Sequence, residues 1–122
     1  MDWQEEYQRK LVTPEEAISV VKSGDRVAFA LDTTGGPVAL PEALAGRADE
    51  LKDIELHMCN PWVDYLWFHP GFEEVFKVTI LNFNHLSVRP MLDEKRGDYS
   101  PLLYGIWGKA EDEGRPIIRH VI

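Results

Sequence analysis

Helical and strand-like segments take turns along this chain, and that alternation leaves few folds open. Thr13-Pro14-Glu15-Glu16 starts a helix: Thr13 caps it, Pro14 suits the first helical position, and Glu16 completes a capping box. Ala17, Ile18, Val20 and Val21 supply its apolar stripe. Ser23-Gly24-Asp25 ends it, with Gly24 free to take the left-handed conformation. Residues 26–31 then read as a strand, nearly all apolar, as in a sheet covered on both faces. A helix is expected over 38–51, regular from about Leu40 or Pro41. A second strand follows at 53–59 (DIELHMC), an irregular stretch at 62–76, and a third strand at 77–83 (KVTILNF). Residues 85–95 read as a helix, broken or kinked at Pro90 and stopped by Gly97. A short extended piece at 99–104, a short helix at 105–113 and an apolar strand at 116–122 (PIIRHVI) complete the pattern. A polar helix over 2–10, with Trp3 and Tyr7 on one face, precedes it all. Strands alternating with helices predict an α/β fold with a mostly parallel sheet flanked by helices.

Composition narrows what such a fold would do. At 122 residues, 44% hydrophobic and 28% charged, the chain is long enough for one domain with a real core. Its net charge is −8 and it has no basic stripe, which argues against a nucleic-acid partner. An anionic ligand would need local help from backbone N–H groups or a few arginines. The lone cysteine, Cys59, excludes an internal disulfide and fits a reducing cytoplasm. The first residues, MDWQEEYQRK, are too acidic for a signal peptide. No apolar run approaches the ~20 residues of a membrane-spanning helix. The pattern stops inside an apolar strand at His120-Val121-Ile122, as expected of an incomplete unit.

Ligands of open parallel sheets bind beyond the carboxyl ends of the strands. Three stretches fall there. Thr33-Thr34-Gly35-Gly36-Pro37 follows the first strand; it reads either as a ligand loop with glycines for close approach, or as a tight connection needing them only for backbone angles. It is neither G-x-G-x-x-G nor a P-loop. Asn60 and Pro61 follow the second strand, where Asn60 either orients a ligand or simply starts a turn. Asn84 and His85 follow the third, as a candidate site wall. Arg89 is placed to meet a carboxylate or phosphate, or to pair with Asp93 four positions on. Cys59 reads either as a nucleophile, for which no base partner is evident nearby, or more simply as a buried structural thiol. The four histidines have no metal-ligand spacing. The aromatic group Trp62, Tyr65, Trp67, Phe68, Phe72 and Phe76 packs a loop against the core or, more sharply, covers a substrate channel.

Taken in order, TPEEAISVVKSGDRVAFAL, a Gly-Pro loop, and PEALAGRADELKDIELH resemble the amino-terminal region of the acetyl-CoA hydrolase/transferase family, which includes 4-hydroxybutyrate and butyryl-CoA:acetate CoA-transferases. LSVRPMLDEKRGDYSPLLYGIWGK continues the resemblance through Arg89, Gly97, Tyr99 and Pro101, so that it spans about Trp3 to Val121. Asp32 to Pro37 departs from the richer glycine loop of the family.

The resemblance implies a partial CoA-transferase-like domain over residues 1–122, within an enzyme that moves CoA between an acyl-CoA and a small carboxylic acid. The family's nucleophile is a glutamate that passes through an acyl anhydride to a glutamyl-CoA thioester. It lies in a later part of a longer chain, and nothing here matches it, so no catalytic residue is assigned. Thr33, Thr34, Gly35, Gly36, Pro37, Asn60, Asn84 and His85 are then the expected substrate-binding residues. Coenzyme A enters as substrate, with no tightly bound cofactor. The expected partners are an acyl-CoA, a small carboxylate, and a carboxy-terminal half or second subunit within a homo- or hetero-oligomer. A non-catalytic scaffold of the same fold and an acyl-CoA hydrolase component are the alternatives.

Overall fold

The computed structural model describes residues 2–29, 36–82, 86–101, 108–109, 112–115 and 120–122. Among them five strands form one sheet: β1 (Arg26–Ala28), β2 (Ile54–Cys59), β3 (Phe76–Asn82), β4 (Gly97–Tyr99) and β5 (His120–Val121). Their order is β4-β3-β2-β1-β5 and every pairing is parallel. Chain order runs outward from β1 to β4, then reverses to place β5 on the far side of β1. His120 Nε2 lies 2.9 Å from Asp25 Oδ2, which ties β5 to the turn before β1 across 95 residues of sequence.

The register explains the core. Val27, Leu56 and Val78 lie side by side across β1, β2 and β3, as do Ile54 with Phe76 and Met58 with Ile80. All are buried and pack against Leu44, Trp67, Phe68, Val88 and Met91. The opposite face carries Arg26, Glu55 and Lys77 in one row and Ala28, His57 and Thr79 in the next. The expected sheet with two apolar faces is therefore one apolar face and one mixed face. The alternation in β2, Ile-Glu-Leu-His-Met, is the period-2 signature of that difference.

Local chemistry sets the helices. Helix α1 is Trp3–Lys10, with Asp2 accepting from the Gln4 N–H at 2.8 Å and Trp3 and Tyr7 exposed. Helix α2 (Pro14–Ile18) has both halves of its capping box: Glu16 N–H to Thr13 Oγ1 at 3.2 Å and Thr13 N–H to Glu16 Oε2 at 3.0 Å. It ends sooner than expected, and Arg47 Nη1 donates to the Ile18 and Val21 carbonyls at 2.7 and 3.0 Å, satisfying acceptors at its end. Val20, expected in the buried stripe, is exposed. Gly24 does take a positive φ of 83°.

Helix α3 (Ala39–Ala45) stops at Gly46, and residues 46–50 form turns where helix was expected to continue. Helix α4 (Val88–Asp93) carries Pro90 in its first turn, where a missing N–H breaks nothing, so no kink arises. Lys95, not Gly97, terminates it: φ there is 59°, Arg96 N–H reaches the Met91 carbonyl at 2.9 Å, and Lys95 N–H reaches that of Leu92 at 3.0 Å. Gly97 instead opens β4. A Cβ there would lie 2.7 Å from Met91 Cε and 3.1 Å from the Val78 carbonyl. Residues 102–104 and 116–119 of the expected later strands lie outside the described residues. Of the helix expected at 105–113, the described residues 108, 109 and 112 are helical.

Candidate functional site

Parallel strands point all their carboxyl ends to one edge, and the strand order reverses between β1 and β5, the position at which open parallel sheets take their ligands. In sequence, the loop after β1 follows that edge. Of its expected site residues, Gly36 and Pro37 are half-buried and run into α3; Thr33, Thr34 and Gly35 lie outside the described residues, as do Asn84 and His85. Helix α3 offers less to an anion than the sequence implied. It is seven residues long, and Pro41 removes one N–H from its first turn.

The end of β2 is the most unusual backbone at this edge. The register with β3 shifts at Met58/Cys59, a bulge or like irregularity in the ladder. Asn60 then has φ of 51°, although the next residue is proline, which normally holds its predecessor extended. Asn60 N–H donates to the Asn82 carbonyl at 2.9 Å, which binds the ends of β2 and β3 together. Bulges and left-handed non-glycine residues concentrate at functional sites. Cys59 is buried, in keeping with a structural thiol. Arg89 pairs with Asp93 at 3.2 Å on the exposed face of α4, so the ion-pair alternative holds for it.

Beside these loops lies a cleft of about 150 Å³. Val38 and Pro41, directly after Gly36-Pro37, form one wall, and Val63 and Leu66, soon after Asn60-Pro61, form the other. Its floor is Tyr65 and Trp67, both buried, stacked at 5.4 Å with a 15° tilt. Phe29, at the end of β1, packs on both rings at 5.6 and 5.5 Å. Trp67 Nε1 also reaches Met58 Sδ at 3.3 Å. The aromatic group thus packs its loop against the core, as expected, except that Trp62 is exposed. The rim carries two carboxylates, Glu42 and Asp64, and Asp64 is bonded to His69 Nε2 at 3.0 Å. Arg96 holds the far side of this segment through the Phe68 carbonyl at 3.0 Å, with Glu73 at 3.6 Å. Backbone N–H groups of Glu73, Gly71 and Phe72, with Arg96 nearby, keep the Glu73 carboxyl below its ordinary range.

Sequence reasoning passed over Glu42, Asp64 and Val38, because nothing in their local pattern separates a cleft rim from a solvated face. It also passed over the mixed sheet face, where the Arg26 guanidinium bonds Glu55 and holds its carboxyl low against the opposing effect of burial. Glu55 Oε2 lies 3.8 Å from His57 Nε2. That cluster sits on the strands themselves, away from the loop edge. Among the described residues no three of His, Cys, Asp and Glu converge as metal ligands would. No helix among them is long and apolar enough to cross a membrane.

Comparison with known proteins gives these positions a context. The acetyl-CoA hydrolase/transferase N-terminal domain model matches residues 1–65. The butyryl-CoA:acetate CoA-transferase of Anaerostipes caccae is 48% identical over 56 residues, covering 46% of this chain and 12% of that protein. The 4-hydroxybutyrate coenzyme A transferase of Clostridium kluyveri is 31% identical over 104 residues, covering 85% of this chain and 24% of that one. The crystal structure of RipA from Yersinia pestis superposes with a TM-score of 0.65 at 26% identity, covering 99% of this chain and 25% of RipA. The chain therefore spans a quarter or less of the length of each of these proteins.

Proposed function

The chain belongs to the acetyl-CoA hydrolase/transferase family, and from that premise we propose that it supplies one wall of the acyl site in an enzyme moving CoA between an acyl-CoA and a small carboxylic acid. The observation that carries this reading is the end of β2, where the register with β3 shifts and Asn60 takes a left-handed backbone, one strand away from the reversal of strand order. In this role the backbone N–H groups of residues 33–36 face a carbonyl or carboxylate oxygen, in the manner of an oxyanion hole. Asn60, Asn84 and His85 add polar contacts from neighbouring strand ends.

The attacking group comes from outside these 122 residues. A glutamate carboxylate there adds to the acyl-CoA carbonyl and expels CoA thiolate, leaving an acyl–glutamyl anhydride. The thiolate then attacks the glutamyl carbonyl, releases the acid and leaves a glutamyl-CoA thioester, which an incoming acid reverses. A carboxy-terminal half or second subunit provides that glutamate, and buried Cys59 accords with a reducing, cytoplasmic setting.

Borohydride trapping tests the proposal. Acyl-CoA is added to the protein together with any co-purifying chain, and the reduced thioester is located by mass spectrometry. Label on a glutamate outside residues 1–122 supports the reading. Label on a glutamate within them overturns the division of labour. No label on any chain favours a non-catalytic scaffold, and label without transfer to added acid favours a hydrolase.

A further inference from the structure

The cleft beside α3 is placed and built to do more than fill space. Its walls are the residues immediately downstream of both candidate site loops, so a molecule held at Gly36-Pro37 and Asn60 has the cleft as its next neighbour in space. Its walls and floor are mainly apolar or aromatic, and its mouth is collared by Val38 and Leu66, each 50% exposed. The volume, about 150 Å³, matches that of an engineered apolar cavity that takes up benzene, so an apolar group of roughly six carbons fits. Among the described residues the charged groups lining it are the carboxylates of Glu42 and Asp64, the latter bonded to His69 Nε2 at 3.0 Å. They disfavour a second negative charge and leave an uncharged tail unaffected.

We propose that this cleft receives the apolar tail of a monocarboxylic acyl group and that Glu42 and Asp64 turn away acyl groups ending in a second carboxylate. The substrate identity rests on the transferase reading above; the cleft and its charge do not. Affinity then rises roughly fourfold per added methylene until the cleft is full near six carbons. A dicarboxylate of the same length binds about tenfold more weakly, since like charges a few ångströms apart at a protein surface oppose each other by more than 1 kcal/mol.

Saturation-transfer NMR on the protein as purified, with any chain that accompanies it, reads this directly without CoA. The probes are acetate, butyrate, hexanoate and adipate. The expected result is affinity increasing along the monocarboxylates, strongest saturation at the hexanoate terminal methyl, and weak saturation of adipate. Val38→Trp and Leu66→Trp, at half-exposed positions and with a wild-type circular-dichroism spectrum as the check on folding, each abolish the hexanoate signal. Glu42→Gln strengthens adipate severalfold. Hexanoate saturation that survives both tryptophan variants overturns the assignment, as does adipate binding equal to hexanoate, or no saturation because another polypeptide segment fills the cleft. The two readings fail separately: CoA exchange without hexanoate in the cleft sinks this inference alone, and hexanoate in the cleft without a trapped thioester sinks the transferase alone.

Discussion

Arg96→Met should loosen the wall of the cleft from behind, and its size can be worked from the contacts. The Arg96 side chain is 14% exposed, donates to the Phe68 carbonyl at 3.0 Å, and sits 3.6 Å from Glu73 and 2.7 Å from Glu94. A hydrogen bond from a charged donor contributes about 1.5–3 kcal/mol. The two ion pairs, with partners at the surface, add at most a few tenths to ~1 kcal/mol each. Methionine keeps the apolar stem in place, so packing is largely preserved. The expected loss is about 2–3 kcal/mol, and with about 4 °C of Tm per kcal/mol for a chain of this size the melting point falls by about 8–12 °C. Circular dichroism gives that number. Hydrogen exchange gives the location: the Phe68 and His69 amides, bonded to the Tyr65 and Leu66 carbonyls, should exchange faster while those of β2 lag behind. Arg96→Lys, which keeps the charge without the planar fork, should fall between. A melting point within about 2 °C of wild type, or exchange that rises uniformly, would refute the idea that Arg96 holds this segment.

Three further outcomes are expected. Glu55 has a depressed pKa in the folded protein, so its pairing stabilises above the unfolded value of about 4.3 and is lost as pH falls through the folded value; the stability gap between wild type and Glu55→Gln should be full at pH 6 and shrink below about 4.3, and a pH-independent gap would remove Arg26 as its cause. Gly97→Ala should cost about 1–3 kcal/mol by crowding buried Met91, and less in a Met91→Ala background; equal costs in both, by urea denaturation, would place the strain elsewhere. Thr13→Ala should cost about 1 kcal/mol by removing the cap of α2, and an unchanged urea midpoint would show that α2 is held by packing alone.

What could be read from sequence was what local chemistry decides. The Thr13–Glu16 box, the left-handed Gly24 and the run of strands joined by helices depend on neighbours within a few residues, and each is present. The misses have non-local causes. Helix α2 stops early, and its end is satisfied by Arg47, which arrives from 29 residues away. Gly97 reads as a helix stop, yet its smallness serves Met91 and Val78, which only the folded sheet brings to it. At the candidate site, Asn60 was singled out from its position after a strand. Its left-handed backbone before a proline runs against the local rule for that position, and it lies next to a register shift that only pairing with β3 creates. The cleft was invisible for the same reason: Val38 and Leu66 are 28 residues apart and meet only through α3 and the turn after β2.

Strand order also sets a timetable. β1 has β2 on one side and β5 on the other, and the clamp between Asp25 and His120 spans 95 residues. At about 5–20 residues per second, a ribosome needs roughly 5–20 s to make that span. During that interval one edge of β1 is open to any strand that passes, including β1 of a neighbouring nascent chain.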